Sequence, residues 1–321
     1  MNVILPGGRV TTRIGFGCSG LNGGRDRRNS LALIEAALEA GIRHFDVAPS
    51  YGNGQAEAIL GEALRGHRDA VTITTKFGIP RPRNATLIAS LRGWLRPILG
   101  ALPARWRERA RRQTVGGSAR TFEPAALRQS LSESLTALGT VHVDLLLMHE
   151  MRRGDCSAGL SDTLSELRAA GRVQALGVGS SRPDSQALCT EWPELFHVAQ
   201  HEWSIADVEI VPLPGSLTIT HRAIRNGLTA IGQLQETDPA RLEAWSRIID
   251  ADLRDPEVLP LLLLGAALDQ NRGGIVLAST SRPRRVASLA RVANDEGLIL
   301  KARALYELYG RVPRSGVGRF P

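Results

Sequence analysis

The chain has 321 residues, of which 43% are hydrophobic and 22% charged, so it can form a packed core and wholesale disorder is excluded. Lysine and arginine together number 40 against 32 acidic residues, which gives a net charge of +8. The excess lies between Arg81 and Arg120, where ten arginines accompany one acid, Glu108. A nucleic-acid-binding protein would spread its basic residues more widely, and the sequence contains no helix-turn-helix, zinc-finger or RNA-recognition signature.

The three cysteines, Cys18, Cys156 and Cys189, are too few and too scattered for a disulfide framework or a zinc site. The first residues do not resemble a signal peptide, and the longest strongly apolar run, Val258 to Leu268, is too short to span a bilayer. We therefore expect a cytoplasmic protein with no integral membrane segment, no metal and no nucleic-acid partner.

Short apolar runs alternate with amphipathic helix patterns along the chain. Val3–Leu5 and Arg9–Thr11 flank a Pro-Gly-Gly turn and predict a small hairpin. The predicted strands that follow are Arg13–Phe16, His44–Val47, Val71–Thr75, Val143–Met148, Val173–Val178, Phe196–Ala199, Leu228–Ile231 and Gly274–Ala278. The predicted helices are Ser30–Ala40, Gln55–Leu64, Pro124–Leu138, Leu160–Ala170, Pro183–Glu191, Thr220–Asn226, Glu257–Gln270 and Pro283–Asn294.

Eight strand–helix pairs in near-strict alternation predict a (β/α)8 TIM barrel, formed by residues 1–321 as one domain. A doubly wound sheet is the alternative, and it would need a glycine-rich phosphate loop after its first strand. Gly15 to Gly20 does match the Gly-x-Gly-x-x-Gly pattern. The residues after it, 21–29, are rich in Gly, Asp and Arg and do not begin a helix, so the required strand–turn–helix context is missing.

A long insertion interrupts the alternation directly after the third strand. Residues 78–121 number 44, whereas loops in such barrels usually have about 2–6 residues. Apolar residues recur in it at three- and four-residue steps, so we predict a helical insertion over the mouth of the active site. Its arginines could face solvent, an anionic substrate or an anionic surface, and 81–120 is the candidate segment for such a contact.

Polar side chains with catalytic potential lie at the ends of three predicted strands. Asp46 and Tyr51 follow the second strand, Lys76 the third and His149 the fourth. In a (β/α)8 barrel the carboxyl ends of the strands form the active site, so these four side chains should converge there. Lys76 is one of only two lysines in the chain, which indicates that arginine would not serve at this position.

In residue type, order and spacing, Asp46, Tyr51, Lys76 and His149 resemble the Asp/Tyr/Lys/His tetrad of the aldo-keto reductases. The segment Glu57-Ala-Ile-Leu-Gly61 is similar to the second helix of that family. The resemblance implies an NAD(P)H-dependent oxidoreductase that interconverts a carbonyl, in an aldehyde, ketone or sugar, and an alcohol. Tyr51 would be the proton donor, Lys76 would lower its pKa, Asp46 would hold Lys76, and His149 would orient the substrate carbonyl.

The resemblance also implies a cofactor, NADP, with NAD as the alternative. The residues expected to bind it are Gly17, Ser180, Gln200, Ser279, Thr280, Ser281 and Arg285. Three positions depart from the family pattern. Ser180-Ser181 stands where Ser-Asn is usual after strand five, Ala230–Gly232 stands where a tyrosine usually stacks on the nicotinamide, and Ala278 stands where a lysine is common in the strand-eight loop. A non-catalytic, nicotinamide-binding regulatory protein on the same barrel is therefore the alternative function.

Overall fold

The computed structural model describes residues 2–82 and 120–311. Eight parallel strands close into a barrel, in which the first strand, residues 14–17, pairs with the last, residues 275–278. The predicted (β/α)8 TIM barrel is therefore confirmed. The predicted hairpin is confirmed as well, since residues 2–4 and 10–12 pair as antiparallel strands before the barrel begins.

The strands of the hairpin are β1 (Asn2–Ile4) and β2 (Val10–Thr12). The strands of the barrel are β3 (Ile14–Gly17), β4 (His44–Asp46), β5 (Thr72–Phe77), β6 (Val143–His149), β7 (Val173–Gly179), β8 (Val198–Glu202), β9 (Leu217–His221) and β10 (Ile275–Ala278).

The described helices are α1 (Arg27–Glu39), α2 (Ala56–Ala63), α3 (Pro124–Leu138), α4 (Ala158–Ala169), α5 (Arg182–Glu191), α6 (Ala223–Thr237), α7 (Pro239–Ile249), α8 (Leu259–Gln270), α9 (Val286–Arg291) and α10 (Glu296–Gly310). Their limits follow local signals, as α3 illustrates. Pro124 occupies its first turn, where no amide hydrogen bond is lost, and Gly139 ends it in the left-handed region at φ 64.

Side chains alternate between the inside of the barrel and the layer under the helices. Leu145 and Leu147 of β6 pack inside with residues of β7 to β10, and Val3 and Leu5 of the hairpin close the amino end of this cluster. A polar layer lies in the same interior, where the His44 ring contacts the hydroxyl oxygens of Thr72 at 3.0 Å and Thr74 at 3.2 Å. These side chains fill the interior and the amino end of the barrel, so the functional side chains lie at its carboxyl end.

The predicted seventh strand, Leu228–Ile231, is wrong. These residues lie inside α6, and the seventh barrel strand is β9, Leu217–His221. The predicted helix Thr220–Asn226 combines the end of that strand with the start of α6. A short apolar run fits a helix as well as a strand. Here Ala230 and Ile231 lie on the buried face of α6 and Leu228 is exposed, while the strand itself is rich in threonine.

Two helices, α7 and α10, were not predicted from the sequence. The helical insertion predicted for residues 78–121 falls mostly on 83–119, outside the described residues, and remains a prediction. Among the helices that are described, none has the length and apolar character needed to cross a membrane.

Candidate active site

Three neighbouring strands carry the predicted catalytic side chains to the carboxyl end of the barrel. Asp46 is the last residue of β4, Lys76 lies near the end of β5, and His149 is the last residue of β6. His149 follows Leu145 and Leu147 on the inward face, because side chains two residues apart on a strand share a face. Strand pairing alone therefore brings together residues far apart in sequence.

Asp46 and Lys76 form a buried ion pair. Their side chains are 4% and 2% exposed, and Lys76 Nζ donates a hydrogen bond to Asp46 Oδ1. The second carboxylate oxygen, Oδ2, accepts a hydrogen bond from Gln200 Nε2 at 2.7 Å. Burial lowers the pKa of Lys76, but Asp46 and Tyr51 raise it by more, so the net pKa lies above its ordinary value and the ammonium stays charged.

Tyr51 completes a chain of polar contacts from Asp46 through Lys76. Lys76 Nζ lies 3.2 Å from the Tyr51 hydroxyl and 4.9 Å from the centroid of its ring. Burial raises the pKa of Tyr51, and the lowering caused by Lys76 does not offset it. Lys76 thus acts in the expected direction, but the net pKa lies above the ordinary value, so the phenol is protonated at neutral pH.

Two histidines lie near the ion pair of Lys76 and Asp46. The rings of Tyr51 and His149 meet edge to face with centroids 6.0 Å apart, and His149 Nδ1 has no hydrogen-bond partner within the part of the chain that the structure describes. Burial and the charge of Lys76 lower the pKa of His149 to about 3 and that of His221, the last residue of β9, to about 3 as well. Both rings are therefore neutral at physiological pH and can each donate one N–H.

The loop that carries Tyr51 has an unusual backbone. Gly52, Asn53 and Gly54 have φ values of 56, 55 and 84, three successive residues in the left-handed region. A Cβ at Gly52 would lie 1.9 Å from the carbonyl oxygen of Leu21, so only glycine fits there. Strained loops persist where the surroundings hold them, and they are common at functional sites.

Arg81 binds this loop to the second helix. Its guanidinium donates to the carbonyl of Gly54 and, at 2.6 Å, to Glu57 Oε2. The other oxygen of the fully buried Glu57 accepts from the hydroxyl of Thr75, the neighbour of Lys76, at 2.6 Å. Burial raises the pKa of Glu57 above its ordinary value, and the interactions with Thr75 and Arg81 offset this only in part.

Charged groups surround the mouth of the site. Glu150 and Arg222 each follow a site histidine and both lie in the left-handed region, at φ 58 and 66. Arg222 forms an ion pair of 2.5 Å with Glu202, and Arg120 donates to the carbonyl of Glu150 at 2.6 Å. Burial, assisted by the charge of Glu202, raises the pKa of Glu150. The entrance is therefore polar, with hydrogen-bond donors and acceptors that contact one another.

The predicted cofactor residues lie at the same end of the barrel, at or just after the ends of four strands. They are Gly17 of β3, Ser180 after β7, Gln200 of β8, and Ser279, Thr280, Ser281 and Arg285 after β10. Gln200 donates to Asp46, so it also contributes to the ion pair. Arg285 is engaged as well, since Nε lies 3.2 and 3.1 Å from the two carboxylate oxygens of Glu257.

His221 is the site residue that the sequence did not reveal. The position of the family's stacking tyrosine was assigned to Ala230–Gly232, which is wrong, because these residues lie in α6. The strand that reaches the site there ends at His221, so the barrel presents an imidazole at this edge. His221 was missed because the seventh strand was predicted in the wrong place. A strand ending at position 221 would have placed His221 among the candidate site residues.

The fold and the site together define a barrel whose carboxyl end places a phenol beside a buried lysine–aspartate pair, an arrangement suited to acid–base chemistry. The chain belongs to the aldo/keto reductase family, whose family model matches residues 13–212, more than half of its length.

Two curated relatives and one solved structure give the range of similarity. The chain is 33% identical over 162 residues to D-threo-aldose 1-dehydrogenase of a Pseudomonas species, 48% of this chain and 44% of that protein. It is 35% identical over 158 residues to 6-dehydroglucose reductase of Agrobacterium fabrum, 47% of this chain and 43% of that protein. The chain spans about half the length of the curated relatives it matches.

The fold is similar to that of an aldo/keto reductase from Klebsiella pneumoniae solved in complex with NADP and acetate. The TM-score is 0.65 at 17% identity, and the match covers 95% of each chain.

Proposed function

We propose that this protein is an NAD(P)H-dependent oxidoreductase that interconverts a carbonyl compound and the corresponding alcohol, with Tyr51 as the proton donor. One observation carries the proposal: Lys76 Nζ, paired with the buried Asp46, lies 3.2 Å from the Tyr51 hydroxyl. A buried ion pair is costly to desolvate and adds little to stability, so its place beside a phenol at the end of the barrel favours a catalytic role.

The residues of this end fit a nicotinamide dinucleotide. Gly17 and Gly179 lie on two barrel strands there and present no side chains, and a Cβ at Gly179 would come within 3.2 Å of Gln200 Oε1. The exposed Ser279 and Ser281 after β10 offer hydroxyls and backbone amides for the phosphates. When bound, the cofactor would supply the hydride that reduces the carbonyl carbon. We take NADP as the first candidate, since the relative from Klebsiella pneumoniae holds it.

The four tetrad side chains would divide the proton chemistry between them. The protonated phenol of Tyr51 donates its proton to the oxygen of the substrate carbonyl as that oxygen becomes an alkoxide. Lys76 stabilises the phenolate that remains, and Asp46 keeps Lys76 charged in a buried site. The neutral His149 donates one N–H to the same carbonyl oxygen and so orients the substrate.

The polar entrance favours small polyhydroxylated carbonyl compounds over apolar ones. Hydrogen-bond acceptors and donors that match sugar hydroxyls are provided by Glu150, Glu202 and Arg222. The neutral ring of His221 adds an N–H donor. The names of the two curated relatives, an aldose dehydrogenase and a dehydroglucose reductase, agree with this class. Aldoses and ketoses are therefore the first substrates to test.

The proposal is tested by following nicotinamide absorbance with NADH and NADPH against a panel of sugars, aldehydes and ketones. We expect carbonyl-dependent oxidation by the wild type and a loss of about 10²–10⁴-fold in kcat for Tyr51→Phe, with cofactor affinity little changed. Equal turnover by Tyr51→Phe would contradict the assignment. Cofactor binding with no turnover of any carbonyl or alcohol would instead support the regulatory alternative.

A further inference from the structure

Arg285, one of the residues expected to bind the cofactor, already forms an ion pair with a carboxylate of this chain. Three guanidinium groups follow β10, on Arg282, Arg284 and Arg285. The carboxylate of Glu257, which precedes α8, reaches Arg285 across 28 residues of sequence and is held through both Nε and an Nη. Such a two-point contact is also the geometry in which arginine binds a phosphate.

Glu257 lies in the field of all three arginines. Its hydrogen bond to Arg285 lowers its pKa, and the charges of Arg284 and Arg282 lower it further, so it is ionised at physiological pH. The side chain is 59% exposed, whereas that of Arg285 is 28% exposed. The carboxylate is therefore the more solvent-exposed partner of the pair.

We propose that Glu257 determines cofactor selectivity: its carboxylate competes with the 2′-phosphate of NADP(H) for Arg285 and so weakens the binding of NADP(H) but not of NAD(H). The inference rests on the proposed function, since it requires a nicotinamide dinucleotide at this end of the barrel. NAD(H) has a 2′-hydroxyl in place of the phosphate. A hydroxyl does not compete for the guanidinium and is not repelled by the carboxylate.

The competition is modest because the pair is exposed. Exposed ion pairs contribute little, so Glu257 can move away from Arg285 when a phosphate binds. Removing its charge should free the guanidinium and abolish the repulsion between the carboxylate and the phosphate. We expect the Kd of NADPH to fall roughly 3- to 10-fold in Glu257→Gln, and that of NADH to change less than about 2-fold.

The experiment measures binding rather than turnover. NADPH and NADH are titrated into the full chain by isothermal calorimetry, and adenosine 2′,5′-bisphosphate and 5′-AMP are titrated in parallel because they isolate the adenine side. Glu257→Gln is compared with Glu243→Gln, a matched control in which an exposed glutamate on α7 loses its ion pair with Arg247. The expected result is tighter binding of NADPH and of the bisphosphate in Glu257→Gln only.

A double-mutant cycle connects the effect to Arg285. If Glu257 acts by occupying that guanidinium, the gain in NADPH affinity disappears when Glu257→Gln is combined with Arg285→Ala. An unchanged ratio of NADPH to NADH affinity in Glu257→Gln overturns the inference while leaving the proposed function intact. Failure of the wild type to bind either cofactor overturns both.

Discussion

Replacing Asp46 with asparagine should damage both catalysis and stability, and the structure indicates how much. Asparagine keeps the shape but removes the charge that faces Lys76, whose side chain is 2% exposed. Asparagine has only one acceptor oxygen, whereas Asp46 accepts from both Lys76 and Gln200, so its amide group must face a donor on one side. Breaking a buried pair by removing one partner costs about 3–5 kcal/mol.

For a chain of 321 residues, that loss corresponds to a fall in Tm of roughly 4–8 °C. The catalytic loss follows from the pKa of Lys76, because burial lowers it and Asp46 is the main group that raises it. A lower pKa of Lys76 weakens its charge-assisted hydrogen bond to Tyr51, which is worth about 1.5–3 kcal/mol, so kcat should fall by roughly 10- to 150-fold.

Asp144 provides a matched control for this prediction. It is also buried and paired, with Arg68 at 3.0 Å and Arg9 at 3.3 Å, but it lies near the amino end of β6 and the tetrad histidine lies at the carboxyl end. Asp144→Asn should lower Tm by a similar amount and leave kcat unchanged. The prediction is tested by measuring Tm in thermal unfolding and kcat in steady-state kinetics for both variants. Equal loss of kcat in both, or none in Asp46→Asn, would refute the reasoning.

Four further outcomes are expected. Because the pKa of Tyr51 is raised, carbonyl reduction should be independent of pH across the neutral range, while alcohol oxidation should accelerate toward alkaline pH. The same pH optimum in both directions would argue against Tyr51 as the shared acid and base. Arg81→Ala removes the donor to the Gly54 carbonyl and should lower kcat about 3- to 10-fold. It should also lower Tm, because the buried carboxylate of Glu57 loses its cation. An unchanged kcat would mean that the loop keeps its conformation without Arg81. His221→Ala should raise the KM for sugars more than it lowers kcat, and the reverse pattern would place this residue in the chemistry instead. The pKa of His44 is about 4 in the folded protein against 6.5 in the unfolded chain. Its contribution to stability, about 3 kcal/mol, is therefore complete above pH 6.5 and is lost as the pH falls toward 4. The stability of His44→Gln, followed by circular dichroism, should decrease less steeply with falling pH.

The sequence was sufficient to predict where the tetrad residues lie, because the strands that carry Lys76 and His149 have clear apolar patterns. β5 and β6 are continuous buried runs, and Lys76 and His149 stand at their carboxyl ends, so strand alternation alone predicts their convergence. Tyr51 could be placed only by its distance from Asp46, and nothing in the sequence indicated the left-handed backbone of the loop that carries it.

What escaped prediction depended on tertiary contacts. β9 reads Leu-Thr-Ile-Thr-His, a weaker apolar signal than the run inside α6, so His221 was missed. The ion pair of Glu257 with Arg285 joins residues on separate elements, and no spacing rule connects them. The net pKa of Tyr51 could not be foreseen either, because it depends on how far burial outweighs Lys76.

The most direct test of the central claim, hydride reduction of a carbonyl with Tyr51 as the acid, is isotope transfer. Wild type and Tyr51→Phe are each incubated with a carbonyl substrate and with NADPH or NADH deuterated at both C4 positions, and the alcohol is analysed by mass spectrometry and NMR. We expect one deuterium on the carbinol carbon for the wild type, formed at least about 10²-fold more slowly by Tyr51→Phe. An unlabelled alcohol, or labelled alcohol formed equally fast by both proteins, would contradict it.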